Sequence, residues 1–335
     1  MIMEERAFIR HVQEAVGGSP GGADLLKALG DDCAVLAAGG GHGQEVQLIT
    51  TDTLVAGVHF DLSFHPLKLL GRKAAAVNIS DIAAMGGTPR FAQLSVTLCP
   101  ALGDQGLADF MTGFLACCQE HGVTLTGGDT VSGQEASFTV TMLGEMAAAA
   151  VCYRHGGQSG DEVWVSGQLG SAAAGLALLQ QGRGGLERFA ALYAAHLDPV
   201  PQVPLGQLLA RSSWVTAMQD ISDGLATDLA HLAAASGLAA QVEADLLPLA
   251  PELIEAAALC QADHLDWGLR GGEDFQLLFT TPPGQGALLA VQAREELGLK
   301  LRQVGRLKPG SGVFLRRPGA KSEEISYQGY EHGSG

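Results

Sequence analysis

Strand-like and helix-like segments alternate in both halves of this chain, and a run of four alanines at residues 147–150 lies between the halves. Short apolar stretches bounded by turn residues indicate strands, whereas longer stretches with apolar residues at helical spacing indicate helices. Because the two kinds of element are mixed within each half, the pattern predicts two α/β or α+β domains. A chain of 335 residues is also longer than a single hydrophobic core usually supports.

The boundary between these domains is expected near the alanine run. We predict a first domain at residues 1–148, a second at 149–318, and a C-terminal tail at 319–335 that is polar apart from two tyrosines. The longest predicted helix covers residues 65–85 and ends at a pair of glycines. Residues 19–43 are expected to be mostly loop.

Charge and composition exclude several classes of function. Twenty basic against 36 acidic residues give a net charge of −16, which would repel duplex nucleic acid, and no basic stripe offsets it. No apolar stretch approaches the length of a membrane span, and the chain start lacks the pattern of a secretory signal, so the expected location is the cytoplasm. The six cysteines form no C-x-x-C or zinc-type spacing and are expected to be reduced and mostly buried.

The motifs of the common nucleotide-binding folds and hydrolases are absent: there is no G-x-x-x-x-G-K-[ST], G-x-G-x-x-G, G-x-S-x-G or H-E-x-x-H. The recurring feature is instead an acidic residue beside Gly, Ser or Thr where a strand or helix ends. Glycine lets the backbone approach a ligand closely, and carboxylate and hydroxyl oxygens suit hard cations such as Mg²⁺. The instances lie at residues 30–32, 50–53, 78–81, 127–130, 220–224 and 271–274.

Asp81 is the least ordinary of these acids. It follows Asn78 by three residues on an alanine-rich apolar helix, so the two side chains share a face that should be buried. A buried carboxylate needs a cation or a donor opposite it. If the scattered acids converge, bound metal must offset their repulsion, which predicts an acid-lined site for metal and phosphate and favours phosphoryl transfer.

Each motif taken alone has a structural interpretation as well. Asp223, before Gly224, is typical of a helix N-cap. His59 fits a packed core histidine, Arg154 fits a surface pair with Asp161, and Lys73 fits a solvated helix lysine.

Six segments together resemble the thiamine-monophosphate kinase family, part of the superfamily that contains aminoimidazole ribonucleotide synthetase, selenophosphate synthetase and a hydrogenase maturation enzyme. The resemblance runs in order over roughly residues 1–330, and the NxSDxAAMG and DISDGL motifs are its most specific parts. It implies a two-domain synthetase-like fold, a homodimer whose N-terminal sheets join into a barrel, and active sites between the domains. The segments are GDDCAVL (30–36), TTDTLVAGVHF (50–60), KAAAVNISDIAAMGGTPRF (73–91), GGDTVSG (127–133), DISDGLATDL (220–229) and GGEDFQLLFT (271–280).

The resemblance also implies the activity and the site residues. The activity is the ATP-dependent, magnesium-assisted phosphorylation of thiamine monophosphate to thiamine diphosphate, by direct in-line transfer, with ATP and thiamine monophosphate as the small-molecule partners. Within the site, Asp52, Asp129 and Arg154 are the implied catalytic residues. The implied magnesium ligands are Asp32, Thr50, Thr51, Asp52, Asp81, Asp129, Asp220 and Asp223; ATP is assigned to Gly128, Asp129, Arg154 and Ser222, and the thiamine phosphate to His59, Glu273 and Tyr327.

Two departures and two alternatives stay open. Tyr327 stands where the family commonly places a tail aromatic, often Trp, and the first motif begins Ala28-Leu29-Gly30 in place of the usual Gly-Ile-Gly. The alternatives are an ATP-dependent ligase like aminoimidazole ribonucleotide synthetase and a catalytically silent metal and nucleotide sensor on the same scaffold.

Overall fold

A six-stranded sheet and two long helices form the first half of the chain. The computed structural model describes residues 5–16, 24–38 and 44–331. Within these ranges the sheet has the strand order β1-β2-β3-β6-β4-β5, in which only β4 and β5 run parallel. The elements are α1 (Glu5–Val16), β1 (Leu25–Lys27), β2 (Ala34–Ala37), β3 (Glu45–Val55), α2 (Leu67–Ala84), β4 (Thr88–Leu98), α3 (Gly103–Glu120), β5 (Thr124–Ser132) and β6 (Ser137–Ala147).

The two faces of this sheet differ in polarity. In the register of β3 with β6, Leu48, Leu54 and Val140 point to one face and are buried. Thr51 and Thr53 alternate with them, as the two-residue period of a strand requires, and lie exposed on the opposite face. The inner face therefore packs on α2 and α3, and the outer face is polar.

Helix α2 is the most deeply buried helix of the first half, and it contacts the first sheet, α3, α6 and β8. Glycines bring the neighbouring backbones close to it. A Cβ at Gly71 would lie 2.0 Å from the carbonyl oxygen of Phe110, and one at Gly206 would lie 2.1 Å from that of Ala83. Neither position accepts a larger residue without moving a helix.

The second half carries a seven-stranded sheet with the strand order β13-β12-β9-β11-β7-β10-β8, in which only β9 and β12 run parallel. Strands β7 and β8 are buried along their whole length, as expected for the middle of a layered domain. The elements are β7 (Glu162–Ser166), α4 (Ser171–Gln180), α5 (Ala190–Leu197), α6 (Val203–Ala210), β8 (Ala217–Ile221), α7 (Leu225–Ala235), β9 (Ala239–Glu243), α8 (Pro251–Cys260), α9 (His264–Arg270), β10 (Gln276–Thr281), α10 (Gln285–Leu297), β11 (Leu301–Lys308), β12 (Gly312–Arg316) and β13 (Glu323–Glu324).

The mixed two-domain fold agrees with the sequence pattern, but several segments do not. Residues 25–27 and 34–37, predicted as loop, form strands because they pair with the edge of β3 through β2. The alanine run does not interrupt β6, which extends to Ala147. Strand β5 continues through Gly127 and Gly128, which look like turn residues, because it pairs with β4 along its length. The domain limits 1–148, 149–318 and 319–335 stay predictions.

The region after residue 318 is less independent than a polar tail would be. Strand β13 pairs with β12, and Ile325 is buried in the core of the second half.

All six cysteines are free, and four of them are buried. None of the helices in the described ranges combines the length and the hydropathy that a membrane crossing requires.

Candidate active site

Three carboxylates from distant parts of the sequence meet where the two halves of the chain touch. Asp32 precedes β2, Asp81 lies on α2, and Asp220 lies on β8, next to the end of a buried strand. One oxygen of each lies within 4.8 Å of the others. We call this group the acidic cluster, and its three oxygen ligands are of the kind that hard divalent cations prefer.

In the acidic cluster Asp32 and Asp220 are buried, Asp81 is partly buried, and positive charge is scarce. Burial and the neighbouring carboxylate of Asp32 raise the pKa of Asp220 to about 8. Burial, followed by the charges of Asp52 and Asp220, raises the pKa of Asp81 well above its usual value. Burial and the charge of Asp32 raise the pKa of Asp52 to about 6. A group of acids that resists ionisation in this way fits the binding of cations, which would replace the missing positive charge.

Hydroxyl and guanidinium groups hold the carboxylates in place. Thr50 Oγ1 donates to Asp81 at 2.5 Å, and Ser80 Oγ donates to Asp220 at 2.5 Å. Arg154 Nη2 donates to Asp32 at 2.5 Å, so this arginine does not form the surface pair with Asp161 that the sequence allowed. These bonds set the direction in which each carboxylate points.

Asn78 links the acidic cluster to β3. Its Oδ1 accepts a hydrogen bond from the backbone N–H of Asp52 at 3.0 Å, and its Nδ2 donates to the Ala74 carbonyl one turn earlier at 3.2 Å. Both polar residues of α2 therefore have a role in the site. Asn78 binds the backbone of β3, and Asp81 belongs to the acidic cluster.

A cavity of about 450 Å³ adjoins the acidic cluster through Asp52. Four carboxylates line it, and among the described residues no lysine or arginine does. Aromatic rings form much of the remaining wall. Such a combination suits an organic cation that carries flat rings. The acids are Asp52, Asp61, Asp223 and Glu273, and the aromatic side chains are His59, Phe60, Phe64, His196, Phe275 and Tyr330.

In the cavity wall, the carboxylate of Glu273 has a polar partner on each of its two oxygens. Its Oε1 lies 2.8 Å from Lys73 Nζ, and its Oε2 lies 3.0 Å from His196 Nδ1. Burial opposes the charge on Glu273, but the Lys73 ammonium and His196 together lower the pKa of this carboxyl to about 2. The interpretation of Lys73 as a solvated lysine is wrong, because its side chain is fully buried in α2.

The backbone around Glu273 is strained. Glu273 has a φ of 67° and Phe275 a φ of 47°, in the left-handed region that side-chain-bearing residues rarely occupy. The N–H groups of these two residues donate to the carbonyls of Ser222 at 2.7 Å and Ile221 at 2.9 Å. Strain of this kind persists where the surroundings fix it, and it is concentrated at functional sites.

The substrate-side and ATP-side residues implied by the resemblance fall into two places. His59, Ser222 and Asp223 line the cavity, and His59 Nδ1 accepts a hydrogen bond from the Val55 N–H at 3.1 Å. Gly128 and Asp129 lie on β5, at the exposed edge of the first sheet. The cavity residues therefore adjoin the acidic cluster, and the β5 residues do not.

Strand register shows how far Asp129 is from the acidic cluster. Asp52 stands opposite Val140 on β6, and the next register line joins Thr53, Thr139, Ser95 and Asp129 across four strands. Three strand spacings of about 4.8 Å place Asp129 about 14 Å from β3, and the alternation of side chains turns it to the opposite face from Asp52. Thr51 lies on that outer face as well, where its hydroxyl donates to the Val140 carbonyl at 3.1 Å.

The two tyrosines of the C-terminal segment occupy different places. Tyr327 packs edge-on against His231 at 5.1 Å, under the guanidinium of Arg6, and it is absent from the cavity wall. Tyr330 lines the cavity, and its N–H donates to the Asp223 carbonyl at 3.0 Å. The structure thus places Tyr330, three residues beyond the predicted aromatic, at the cavity.

Four residues that sequence reasoning left out belong to this site: Lys73, Ser80, His196 and Tyr330. The sequence pointed to Ser80, which precedes Asp81 in the motif at residues 78–81. It also pointed to Tyr330, the second aromatic residue of the otherwise polar C-terminal segment. Lys73 also precedes a buried alanine run, where a solvated side chain would be out of place. His196 gave no signal, because it lies in an ordinary alanine- and leucine-rich helix.

Comparisons with known proteins cover nearly the whole chain. Residues 30–146 match the family model of the AIR synthase related protein N-terminal domain, and residues 158–316 match that of its C-terminal domain. The thiamine-monophosphate kinase of Salmonella typhimurium is 36% identical over 92% of this chain and 92% of its own length. That of Aquifex aeolicus is 33% identical over 91% of this chain and 93% of its own length.

Solved structures agree with these relatives. AaThiL complexed with AMPPCP and TMP superposes with a TM-score of 0.82 and 30% identity over 97% of this chain and 98% of that chain. The thiamine-monophosphate kinase from Stenotrophomonas maltophilia K279a gives a TM-score of 0.75 and 38% identity over 93% of this chain and 96% of that chain. Sequence and fold similarity therefore extend over the same residues.

Proposed function

The chain belongs to the thiamine-monophosphate kinase family, and from this we propose that it transfers the γ-phosphoryl group of ATP to thiamine monophosphate. The products are ADP and thiamine diphosphate. The solved relative complexed with AMPPCP and TMP supports both substrates, since AMPPCP is an analogue of ATP.

One observation carries this proposal: an aromatic cavity lined by four carboxylates adjoins a cluster of three carboxylates, two buried and one partly buried. Thiamine monophosphate has a permanently cationic thiazolium ring, an aminopyrimidine ring and a phosphate. The cavity suits the two rings, and the acidic cluster suits metal ions that accompany phosphates. Asp52 belongs to the border between them, which is where the phosphate of a cavity-bound substrate would lie.

Mg²⁺ is the proposed cofactor, in several copies, because the donor set consists of oxygens and the buried acids lack counter-charge. Bound there, it would neutralise the charge that two polyanionic substrates bring together. The chain's own part is to place those ions and substrates. The ligands proposed from the resemblance are Asp32, Thr50, Thr51, Asp52, Asp81, Asp129, Asp220 and Asp223. Within one chain Thr51 and Asp129 lie on the outer face of the first sheet, away from the acidic cluster.

No strong general base is required, because the acceptor is a phosphate oxygen that is already anionic. We infer a direct in-line transfer in which catalysis comes from positioning and electrostatic stabilisation. Arg154 supplies a fixed positive charge, and with Gly128, Asp129 and Ser222 it is proposed to contact ATP. Asp52, Asp129 and Arg154 remain the proposed catalytic residues.

The proposed substrate contacts are His59 and Glu273, both in the cavity wall, together with a tail aromatic. Tyr330 fits the last role better than Tyr327, because Tyr330 lines the cavity and Tyr327 packs on His231. A ring over the cavity mouth would cover a flat heterocycle and exclude water from it.

A homodimer is part of the proposal, with the two N-terminal sheets joined into a barrel. Strand β5 ends the first sheet with an unpaired edge, and Val131 on it is 51% exposed. Phe91 on the adjoining strand is 44% exposed. Unpaired edges of this kind are templates for strand addition. Association here would also give Asp129 a site to face, because within one chain it points away from Asp52. A cytoplasmic location remains a prediction.

The proposed function is tested by measuring ADP production with ATP, Mg²⁺ and one acceptor at a time. Thiamine monophosphate, the substrate of aminoimidazole ribonucleotide synthetase and free thiamine are compared side by side. We expect turnover with thiamine monophosphate alone. Turnover only with the aminoimidazole precursor would establish the ligase alternative, and ATP binding without turnover on any acceptor would establish the sensor.

A further inference from the structure

A buried polar group lies outside the acidic cluster, and two of its members, His196 and Glu273, line the cavity. It consists of Lys73 on α2, His196 on α5, Glu273 before β10 and His65 just before α2, and we call it the Glu273 recess. The rings of His65 and His196 lie 5.8 Å apart between centroids and are tilted by 56°. Both histidines and Lys73 are at most 2% exposed, whereas Glu273 reaches the cavity.

Lys73 is paired with one carboxylate. Its Nζ lies 2.8 Å from Glu273 Oε1 in an ion pair, and within the described part of the chain it makes no hydrogen bond of regular geometry. A buried ammonium without water is costly unless a paired charge offsets it. A lysine held only for packing would be replaced at lower cost by methionine or leucine, so the charge itself requires an explanation.

The two oxygens of Glu273 are divided between two partners. Oε1 faces Lys73, Oε2 faces His196 Nδ1 at 3.0 Å, and the backbone of Glu273 is fixed by its N–H bond to the Ser222 carbonyl. A partner on each oxygen restricts rotation of the carboxylate about its terminal bond. Each carboxylate oxygen can accept more than one hydrogen bond, and Glu273 forms part of the cavity wall.

We propose that Lys73 and His196 are positioning residues that keep Glu273 ionised and turned toward the cavity, where it binds the cationic, hydrogen-bonding ring system of the substrate. The inference rests on the proposed function, since it assigns these residues to the binding of thiamine monophosphate. Both residues act through Glu273, and Lys73 is not part of the cavity wall.

Other buried acids of this chain show what Glu273 would become without its lysine. Burial raises the pKa of Asp220 to about 8 and that of Asp274 to about 7, whereas Glu273 beside Lys73 has a pKa of about 2. The titratable groups that face Glu273 are Lys73, His196, His65 and its neighbour Asp274. Burial keeps both histidines neutral at pH 7, since it lowers the pKa of each. Lys73 is thus the cation that holds the charge on Glu273.

The test is steady-state kinetics at saturating ATP and Mg²⁺, with thiamine monophosphate varied between pH 6 and 9. Lys73→Met keeps the length of the side chain and removes its charge; Lys68→Met, on the exposed side of the same helix, is the matched control. We expect Lys73→Met to raise KM by about 10- to 100-fold with kcat within about threefold of the wild type.

The pH dependence distinguishes this role from a structural one. In Lys73→Met the Glu273 pKa rises, so Glu273 is protonated at pH 6 and becomes ionised as the pH rises. The ratio of variant KM to wild-type KM should therefore fall toward 1 between pH 6 and 9. A KM ratio that stays constant across this range, or equals that of Lys68→Met, would overturn the inference.

A double-mutant cycle covers the case in which Lys73→Met leaves a buried unpaired carboxylate and fails to fold. The double variant Lys73→Met, Glu273→Gln has no buried charge in this place. Because Lys73 acts through Glu273, the double variant should have the KM of Glu273→Gln alone. A further rise in KM would show that Lys73 contacts substrate directly and would refute the positioning role. An inactive wild type refutes the proposed function and this inference together, whereas an active wild type with an unresponsive Lys73→Met refutes only the inference.

Discussion

The acidic cluster and the Glu273 recess are similarly buried, yet the two regions treat a carboxylate in opposite ways. In the recess the chain supplies its own cation, and the pKa of Glu273 falls to about 2. In the cluster the one arginine in contact among the described residues, Arg154, pairs with Asp32, and the pKa of Asp220 rises to about 8. Burial alone would raise both, so the difference comes from the partner.

The charge on Glu273 is therefore permanent, whereas the charge on the acidic cluster depends on bound cations. Lys73 makes the negative charge of Glu273 available at every physiological pH, which suits recognition of an organic cation. The acids of the cluster are stable as a group only when protonated or when cations are bound. Four predictions test the contrast, beginning with the largest effect.

The first prediction concerns catalysis at the acidic cluster. Asp81→Asn removes one negative charge from the proposed metal site, and we expect kcat to fall by at least about 10³-fold because the charge of two polyanions is no longer offset. The control is Asp104→Asn, in the first turn of α3, which should keep full activity. Both are measured as ADP release. An Asp81→Asn variant with more than a tenth of wild-type kcat would contradict the proposed role of the cluster.

The second prediction concerns stability against pH. The folded pKa values of Asp52 and Asp220 are raised to about 6 and about 8, so the stabilisation from their protonation is complete below pH 4 and is lost as the pH rises through 6 and 8. In chelator, the melting temperature should fall from pH 5 to 9, and Mg²⁺ should remove most of that fall. Asp220→Asn should be more stable than the wild type in chelator at pH 8, by about 2–4 kcal/mol.

The matched measurement for the second prediction is Glu273→Gln. Because Glu273 has its own cation, this variant leaves Lys73 buried without a counter-charge and should be less stable than the wild type at pH 8. Stabilisation by both substitutions, or by neither, would mean that the two regions do not differ as described.

The third prediction compares the two tyrosines of the C-terminal segment. Tyr330→Ala removes a ring from the cavity wall and should raise KM for thiamine monophosphate by about tenfold. Tyr327→Ala removes the ring that packs on His231 and should lower the melting temperature with less than a threefold change in KM. Thermal unfolding and steady-state kinetics of the two variants decide between them. The reverse result would restore Tyr327 as the substrate aromatic.

The smallest effect is expected for Ser80→Ala. The hydroxyl of Ser80 donates to Asp220 at 2.5 Å, and its loss should weaken Mg²⁺ binding by about 5- to 10-fold, in line with one hydrogen bond to a charged group. Ser95→Ala, on the outer face of the first sheet, is the control. The Mg²⁺ dependence of the melting temperature measures the change, and an unaltered Mg²⁺ response in Ser80→Ala would remove Ser80 from the site.

The part of this site that could be predicted from sequence is the part written in local motifs. Asp81 was notable because a carboxylate on an alanine-rich apolar helix needs a partner, and Asp220 because it belongs to a motif in which acids stand beside Ser and Gly where an element ends. Which acids converge could not be predicted, since that depends on strand register: Asp129 belongs to the same kind of motif but lies on the outer face of an edge strand. Lys73 was misinterpreted because its partner, Glu273, is 200 residues away and no local pattern joins them.

The fold shows the same limit. Mixed strands and helices in each half predicted the two-domain class, and the limits of α2 were close to those observed. Strands β1 and β2 were missed because their stability comes from pairing with β3, and the glycines of β5 hid a strand that is stabilised by β4. Pairing partners far along the chain decide such segments, and residue preferences do not reveal them.

Helix α2 carries Lys73 and Asp81 eight residues apart, which is about 12 Å along its axis. The close glycine contacts with α3 and α6 keep α2 from shifting against its neighbours. Lys73, which holds Glu273 at the cavity, and Asp81, which belongs to the acidic cluster, therefore keep a fixed spacing. An inhibitor that joins a flat cationic head to a chelating group through a stiff linker would fit both sites without adjustment by the protein. A flexible linker between the two groups of the inhibitor would lose conformational entropy on binding and so weaken the affinity.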